Sequence, residues 1–508
     1  MATERRGGRR REARGDLRAV DYIRLHHPFT PQSAFSDEAV LRLHEAALSV
    51  LEEDGMRILL PEARKILARA GARVDEDSHM VRIGRDIVAE ALATAPRRWR
   101  LRAANPARER DYAPGALLFS PGSGCPNVTD RLRGRRPGSL RDYEETLRLQ
   151  QAFDVIHMLG PSAEPQDVPA PLRHYALMRA QLRDCDKPMF VYARGRAQVE
   201  ESFAMIRLAL DLSQEDWASG VWASTVINTN SPRQIDMPMS QGIIDFARAG
   251  QMSIITPFCL AGAMAPVTVA GALVLQHAEA LAGITLAQMT RPGAPVSYGG
   301  FSSNVDMKSG APAFGTPEHV KLQIGSGQLA RHIGLPWRSA SGSASNVADM
   351  QAAQETTMAL WGALMGQATL VVHAAGWLEG GLSFGYEKFI NDIEALQTLA
   401  ELCTPPEADD GALGLAAIHE VAPGGHFFAA AQTMDRYQTA FYPPLVADLT
   451  NFGTWTDSGS QNATERATAI WQRVLAEAQP PDHGLAAAER LAPYIAAREA
   501  AGGVAALD

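Results

Sequence analysis

Between His373 and Phe389 the chain reads HAAGWLEGGLSFGYEKF, with a histidine, a tryptophan, two acids and three further aromatics spaced by glycines. A core strand has no use for Trp377, Glu379, Tyr386 and Glu387 set among Gly376, Gly380, Gly381 and Gly385. A pocket for a small organic cation does, because aromatic faces attract positive charge and acids add to it. His373 closes the apolar run that precedes this loop. It is either a working side chain at the end of a strand or a core histidine satisfied by backbone, and its position favours the first.

Other residues offer related chemistry. Asp130 either holds a cation or pairs with Arg133, Arg135 or Arg136 just behind it. PVSYGGFSSNVDM brings Tyr298, Phe301, Asn304 and Asp306 close together, and Gly299 and Gly300 let the backbone turn so that Phe301 enters a cavity. Trp337 lies within an apolar run, and alternation of period two leaves its direction, inward or outward, open. His277 and Glu279 sit in a helix-like run that Thr268 is placed to cap, where burial with hydrogen bonding is the better reading than catalysis.

Such residues need a scaffold. From about residue 116 the pattern becomes short apolar runs, each followed by a polar or glycine-rich loop and a helix-like segment. The runs are LLFS (117–120), VIHM (155–158), MFVYA (189–193), VWASTVIN (221–228), SIITPF (253–258), PVSYGG (295–300), LPWRSA (335–340) and TLVVHA (369–374). Eight β/α repeats predict an α/β fold of the closed (β/α)8 TIM barrel type, with a doubly wound open sheet as the alternative. In a barrel the working residues gather at the carboxyl-terminal mouth, where these polar loops fall. We divide the chain into a basic tail and linker (1–34), an N-terminal helical and hairpin region (35–115), the barrel (116–403) and a C-terminal helical extension (404–508).

The bulk numbers exclude several classes. The 508 residues, 46% hydrophobic and 21% charged, are ordinary globular composition with material for a large core. A net charge of −9 argues against a nucleic-acid partner for the main body. Arg5, Arg6, Arg9, Arg10, Arg11 and Arg14 read as a solvated tail, and no apolar segment follows them as a secretory signal requires. The nearest approach to a membrane span, Val267 to Met289, is interrupted by His277 and Glu279. Cys125, Cys185, Cys259 and Cys403 are far apart, which suggests reduced cytoplasmic thiols. No dinucleotide fingerprint, serine elbow or zinc-ligand spacing is present, so no metal bound by this chain is expected.

Taken in order, GRRPGSLRDY, PVTVAGALVLQHAEALAGI, PGAPVSYGGFSSNVDM, PEHVKLQIGSGQLARHIGLP and HAAGWLEGGLSFGYEKFINDIEAL resemble the trimethylamine:corrinoid methyltransferase superfamily over roughly residues 35 to 470. The resemblance implies a (β/α)8 barrel whose mouth docks a cognate corrinoid protein, and methyl transfer from a methylated amine to the Co(I) cobamide that the partner carries. The founding trimethylamine enzymes use pyrrolysine, whereas this chain has standard residues throughout. That departure points to the branch similar to glycine betaine methyltransferases, acting on a quaternary amine.

The chemistry agrees, since a quaternary ammonium leaves as a neutral tertiary amine and the enzyme has mainly to position and desolvate it. By position and type, Phe119, Tyr298, Phe301, Trp337, Trp377 and Tyr386 are candidates for an aromatic cage. Asp130, Glu379 or Glu387 would add charge, and His373, Arg338 or Lys388 would bind a substrate carboxylate. We therefore expect catalytic roles for Asp130, His373 and Glu379, and substrate contacts from the cage and Glu387, in a cytoplasmic homo-oligomer. Competing readings are a betaine-binding or sensory protein without methyl transfer, and a barrel lyase or aldolase using Lys308 or Lys388.

Overall fold

The computed structural model describes residues 21–507. The arginines at positions 5 to 14, read above as a solvated tail, lie outside them. Seven short strands form one curled parallel sheet: β1 (Leu118–Phe119), β2 (Met189–Phe190), β3 (Ala223–Asn228), β4 (Met252–Thr256), β5 (Val296–Gly299), β6 (Trp337–Ala340) and β7 (Leu370–Val372). Their spatial order is β1-β7-β6-β5-β4-β3-β2, so the first strand lies beside the last. β4 is buried along its whole length, the pattern of a parallel strand covered on both faces.

Helices separate the strands as the alternation predicts. α1 (Leu140–Ala152) and α2 (Ala170–Asp184) follow β1, α3 (Arg196–Ala209) follows β2, and α4 (Met237–Ala249) follows β3. α5 (Val269–Thr290), α6 (Pro317–Ile333), α7 (Met350–Met365) and α8 (Tyr386–Leu402) follow β4 to β7 in turn. Ser139 and Asp142 form a capping box that starts α1, and the Thr268 side chain caps α5 as expected. Such caps each contribute about 1 kcal/mol. α5 is long and apolar enough to cross a membrane, but most of it is buried inside the protein.

The expectation of eight strands is corrected at VIHM. Residues 155–158 form no strand, although His157 and Met158 both donate their N–H to Phe119 O in β1, at 2.9 and 3.3 Å. The Leu159 N–H donates to Pro188 O, next to β2, at 3.2 Å. The reason is local: the Phe119 N–H, which a neighbouring carbonyl would take in a ladder, donates instead to Nδ1 of the His157 ring at 2.9 Å.

Residues 35–115 form helices and small antiparallel pairings, including Arg73–Asp75 with Met80–Arg82. Beyond α8, helix Ala463–Glu477 packs on α8, and helix Gly484–Ala500 packs on α2 and α3.

Candidate active site

A cavity of about 560 Å³ opens at the carboxyl ends of the strands. Ser123 follows β1, Tyr192 follows β2, and Asn228 and Thr229 close β3. Phe258 follows β4, Phe301 follows β5, Arg338 lies on β6, and His373 and Trp377 follow β7.

Phe301 is the hub of its aromatic wall. Its ring stacks on Phe258 at 4.9 Å between centroids and on Phe314 at 5.5 Å, and it touches His373 and Trp377 at 5.1 Å each. The Trp377 indole stacks on His373 at 3.8 Å with the planes 21° apart. Glycine makes this possible, because a Cβ at Gly342 would lie 2.0 Å from the indole and one at Gly381 would lie 2.4 Å from it. The loop is tied down where the Gly376 N–H donates to Oδ2 of Asp392 at 2.8 Å.

Beside this wall lies an unusual pair. Arg338 is 1% exposed, and its Nε and Nη1 find no hydrogen-bond partner among the described residues. Burial pushes its pKa down to about 9, and no carboxylate among the described residues offsets this. Its guanidinium carbon sits 5.2 Å from the Phe301 ring centroid. A charge buried without a partner is costly, so its persistence points to a ligand.

His373 sharpens the argument. Its Nδ1 accepts from the Ser123 N–H at 3.2 Å, which in a neutral imidazole places the ring proton on Nε2. Burial, and then the charge of Arg338, hold its pKa well below the usual histidine value, so the ring is neutral. Nε2 lies 3.3 Å from Nη2 of Arg338, and two donors therefore face each other. An anionic oxygen accepting from both would resolve the conflict. His373 also has a φ of 59°, a left-handed conformation that non-glycine residues adopt at a cost and that clusters at functional sites.

The structure thus brings Phe301, His373 and Trp377 together with Arg338. It places the other candidates elsewhere. Tyr298 and Trp337 are paired in register across β5 and β6 and face the helices. The Tyr298 hydroxyl meets Nδ1 of His277 at 3.1 Å, and the Trp337 ring abuts Gly327 and Gly366. Phe119 is buried in the core.

Asp130 is bound by Arg133 and Arg136, each at 2.8 Å. Burial opposes its charge, but these hydrogen bonds hold its pKa below the usual carboxylate range. Tyr386 joins the same cluster by donating to Glu145 at 2.8 Å. Glu387 accepts from Thr468 and from the Trp471 indole, at 2.8 and 2.9 Å. Glu379 pairs with Arg135 at 3.0 Å and accepts from Ser383 at 2.7 Å. Lys388 is buried in an ion pair with Asp392. None of these acids, nor Tyr386 or Lys388, lines the cavity.

Three aromatic wall residues, Phe190, Tyr192 and Phe258, are not among the candidates read from the sequence. Tyr192 and Phe258 stand at or near the end of their apolar runs, where the rule applied to His373 finds them, while Phe190 lies early in its run and carries no such signal. Among the described residues no group of three His, Cys, Asp or Glu is placed to hold a metal ion.

The chain that builds this sheet and cavity is matched by known sequences. Residues 3–503 match the family model described as trimethylamine methyltransferase (MTTB), and the chain belongs to that family of methyltransferases. It is 33% identical over 465 residues to the glycine betaine methyltransferase of Desulfitobacterium hafniense strain Y51, covering 91% of this chain and 96% of that protein. It is 28% identical over 439 residues to the trimethylamine methyltransferase MttB of D. hafniense strain DSM 10664 / DCB-2, covering 86% and 88%. A crystal structure of the monomethylamine methyltransferase of Methanosarcina barkeri aligns with a TM-score of 0.43 at 9% identity, over 94% of this chain and 97% of that one.

Proposed function

We propose that this methyltransferase demethylates a betaine, passing one methyl group from a quaternary ammonium to the Co(I) cobamide of a separate corrinoid protein. The observation that carries the reading is Arg338, a buried guanidinium without an anionic partner among the described residues, beside the aromatic wall of Phe301 and Trp377. A trimethylamine molecule would leave that charge unpaired. A betaine would place its carboxylate between Arg338 and the Nε2–H of His373 and its ammonium against the rings, each such contact adding about 0.5–2 kcal/mol when desolvated. The similarity to a glycine betaine methyltransferase supports the same substrate class.

The residues then act by holding and drying the substrate. Arg338 and His373 fix one end and the aromatic wall excludes water, leaving a methyl group directed at the open mouth. The docked cobamide supplies the nucleophile. The electron pair of the broken C–N bond stays on nitrogen, so no proton is needed and neither His373 nor an acid has to titrate. Leu132, Val267, Met307, Val347 and Leu382 are exposed on the loops that follow β1, β4, β5, β6 and β7, an apolar rim suited to a docking protein. We read the sheet as a (β/α)8 barrel whose second stave is the irregular segment 157–159, and the enzyme as a cytoplasmic homo-oligomer.

The test supplies cob(I)alamin, free and on the cognate corrinoid protein, with glycine betaine, carnitine, proline betaine, choline and trimethylamine. Methylcobalamin should form from a carboxylate-bearing substrate and not from trimethylamine. Failure with every betaine in both forms of the cofactor removes the reading. Tight betaine binding without turnover would select a binding protein instead.

A further inference from the structure

The cavity has a second buried charge near it, on α5. Glu279 is fully buried, and among the described residues no arginine, lysine or histidine pairs with it. Its Oε2 accepts from the hydroxyls of Thr229 and Ser231, the latter at 2.6 Å, and its Oε1 accepts from the Arg233 N–H at 2.7 Å. Cys259 Sγ lies 3.9 Å from Oε2. The Arg233 N–H can only donate, and the two hydroxyls as placed donate as well, a surround that suits an ionised carboxylate. Burial raises its pKa, and the same donors act against that rise.

Thr229 links this carboxylate to the cavity, which it lines. With its proton turned to Glu279, the Thr229 oxygen keeps its lone pairs free to accept. Thr229 directly follows β3 while Arg338 is on β6, three strands along the curled sheet. Arg194 also lines the cavity, but Glu164 answers it at 2.9 Å, so the unanswered positive charge is at Arg338 and the hydroxyl polarised by Glu279 is at Thr229, an arrangement suited to orienting a zwitterion.

We propose that Glu279 is a positioning residue that acts through Thr229 to attract the cationic nitrogen of a zwitterionic substrate and so sets its direction between β3 and β6. This rests on the betaine reading. It also predicts that Glu279 favours the charged ground state over a transition state in which the positive charge is being lost, and so lowers KM without raising kcat.

The test is calorimetric titration of the full chain with glycine betaine and with its carbon isostere 3,3-dimethylbutyrate, which keeps the carboxylate and the shape but lacks the cationic nitrogen. In Glu279→Gln the ratio of the two affinities should fall about tenfold, as loss of one nearby charge at intermediate dielectric implies. Binding of dimethylbutyrate should hold or improve. The Thr229 and Ser231 hydroxyls can rotate to accept from the new amide, so the variant keeps its local bonding. Glu279→Asp, with the charge retained, should keep the preference for betaine. Parallel loss of both ligands in Glu279→Gln, or an unchanged ratio, leaves Glu279 as a support for the 229–233 loop and overturns the inference while the betaine reading stands. Absence of binding of either ligand to the wild-type enzyme removes both.

Discussion

Two neighbouring regions draw on the loop after β7 and have much the same composition, yet they are built to opposite rules. Around Tyr386 every charge is answered within the chain: Asp130 by Arg133 and Arg136, and Arg133 by Glu145 as well. Tyr386 donates to Glu145, and the Arg133 guanidinium lies 4.9 Å from its ring centroid. Around Trp377 the aromatic surface is as rich, but Arg338 has no anion among the described residues and His373 turns a second donor towards it. The first region holds the fold together. The second has bonding capacity left over for a ligand, and composition alone does not separate them.

The largest effect that tests this contrast comes from Arg338→Leu. Betaine kcat/KM should fall about 10³-fold, the scale of truncating one side of a buried hydrogen-bonded charge pair. Thermal stability of the ligand-free enzyme should be unchanged or higher, since an uncompensated buried charge has gone. A marked fall in Tm with activity preserved would put Arg338 on the structural side. Asp130→Asn should do the reverse. Removing the charge that answers two arginines costs about 3 kcal/mol of stability, while turnover per folded molecule stays near wild type. A collapse of kcat/KM at full stability would return Asp130 to catalysis. Next in size is Trp377→Leu, expected to raise KM for betaine about tenfold by loss of cation–π attraction. The same change should leave the affinity for 3,3-dimethylbutyrate nearly untouched, and equal losses for both ligands would mean the indole only fills space.

How much of this was legible in the sequence follows from the range of each interaction. Seven of eight strands could be read because a parallel strand covered on both faces is a continuous apolar run, as in SIITPF. VIHM has the same composition, but the ring of His157 takes a backbone donor, and nothing in an apolar run announces that bond. Phe301, His373 and Trp377 could be read because they follow strand ends. The outward direction of Tyr298 and Trp337 could not, since it depends on which face of each strand the sheet turns inward. Asp130 had arginines close by, so its pairing was one of two visible outcomes. The partners of Tyr386 and Glu387 are Glu145 and Trp471, 241 and 84 residues away, and no local pattern joins them.

The smallest expected effect concerns pH, and it separates the two regions by what fails to change. His373 is held neutral by burial and by Arg338, with its pKa well below 6.5. Betaine kcat/KM measured with a fixed supply of reduced corrinoid should therefore show no histidine step between pH 6 and 8. Stability has a definite sign over the adjoining range. In the unfolded chain this imidazole takes up a proton near its ordinary pKa of 6.5, while the folded chain does not until well below it. Between those values the unfolded state binds more protons, so the His373 contribution to stability is present above pH 6.5 and declines as the pH falls. Asp130 works through the same linkage in a more acid window: its folded pKa lies below the ordinary 3.8, so its stabilisation is complete above 3.8 and is lost as pH falls through the lower, folded value. His373→Gln should lessen the decline just below pH 6.5, which buried His157, His277 and His319 share, and leave the more acid one unchanged, and Asp130→Asn should lessen only the more acid one. A kcat/KM inflection near 6.5 that vanishes in His373→Gln would show that the ring takes up a proton in the working enzyme. The Nε2–H would then be one of two exchangeable protons of a cation, and the argument that a neutral donor pair awaits a carboxylate would fail.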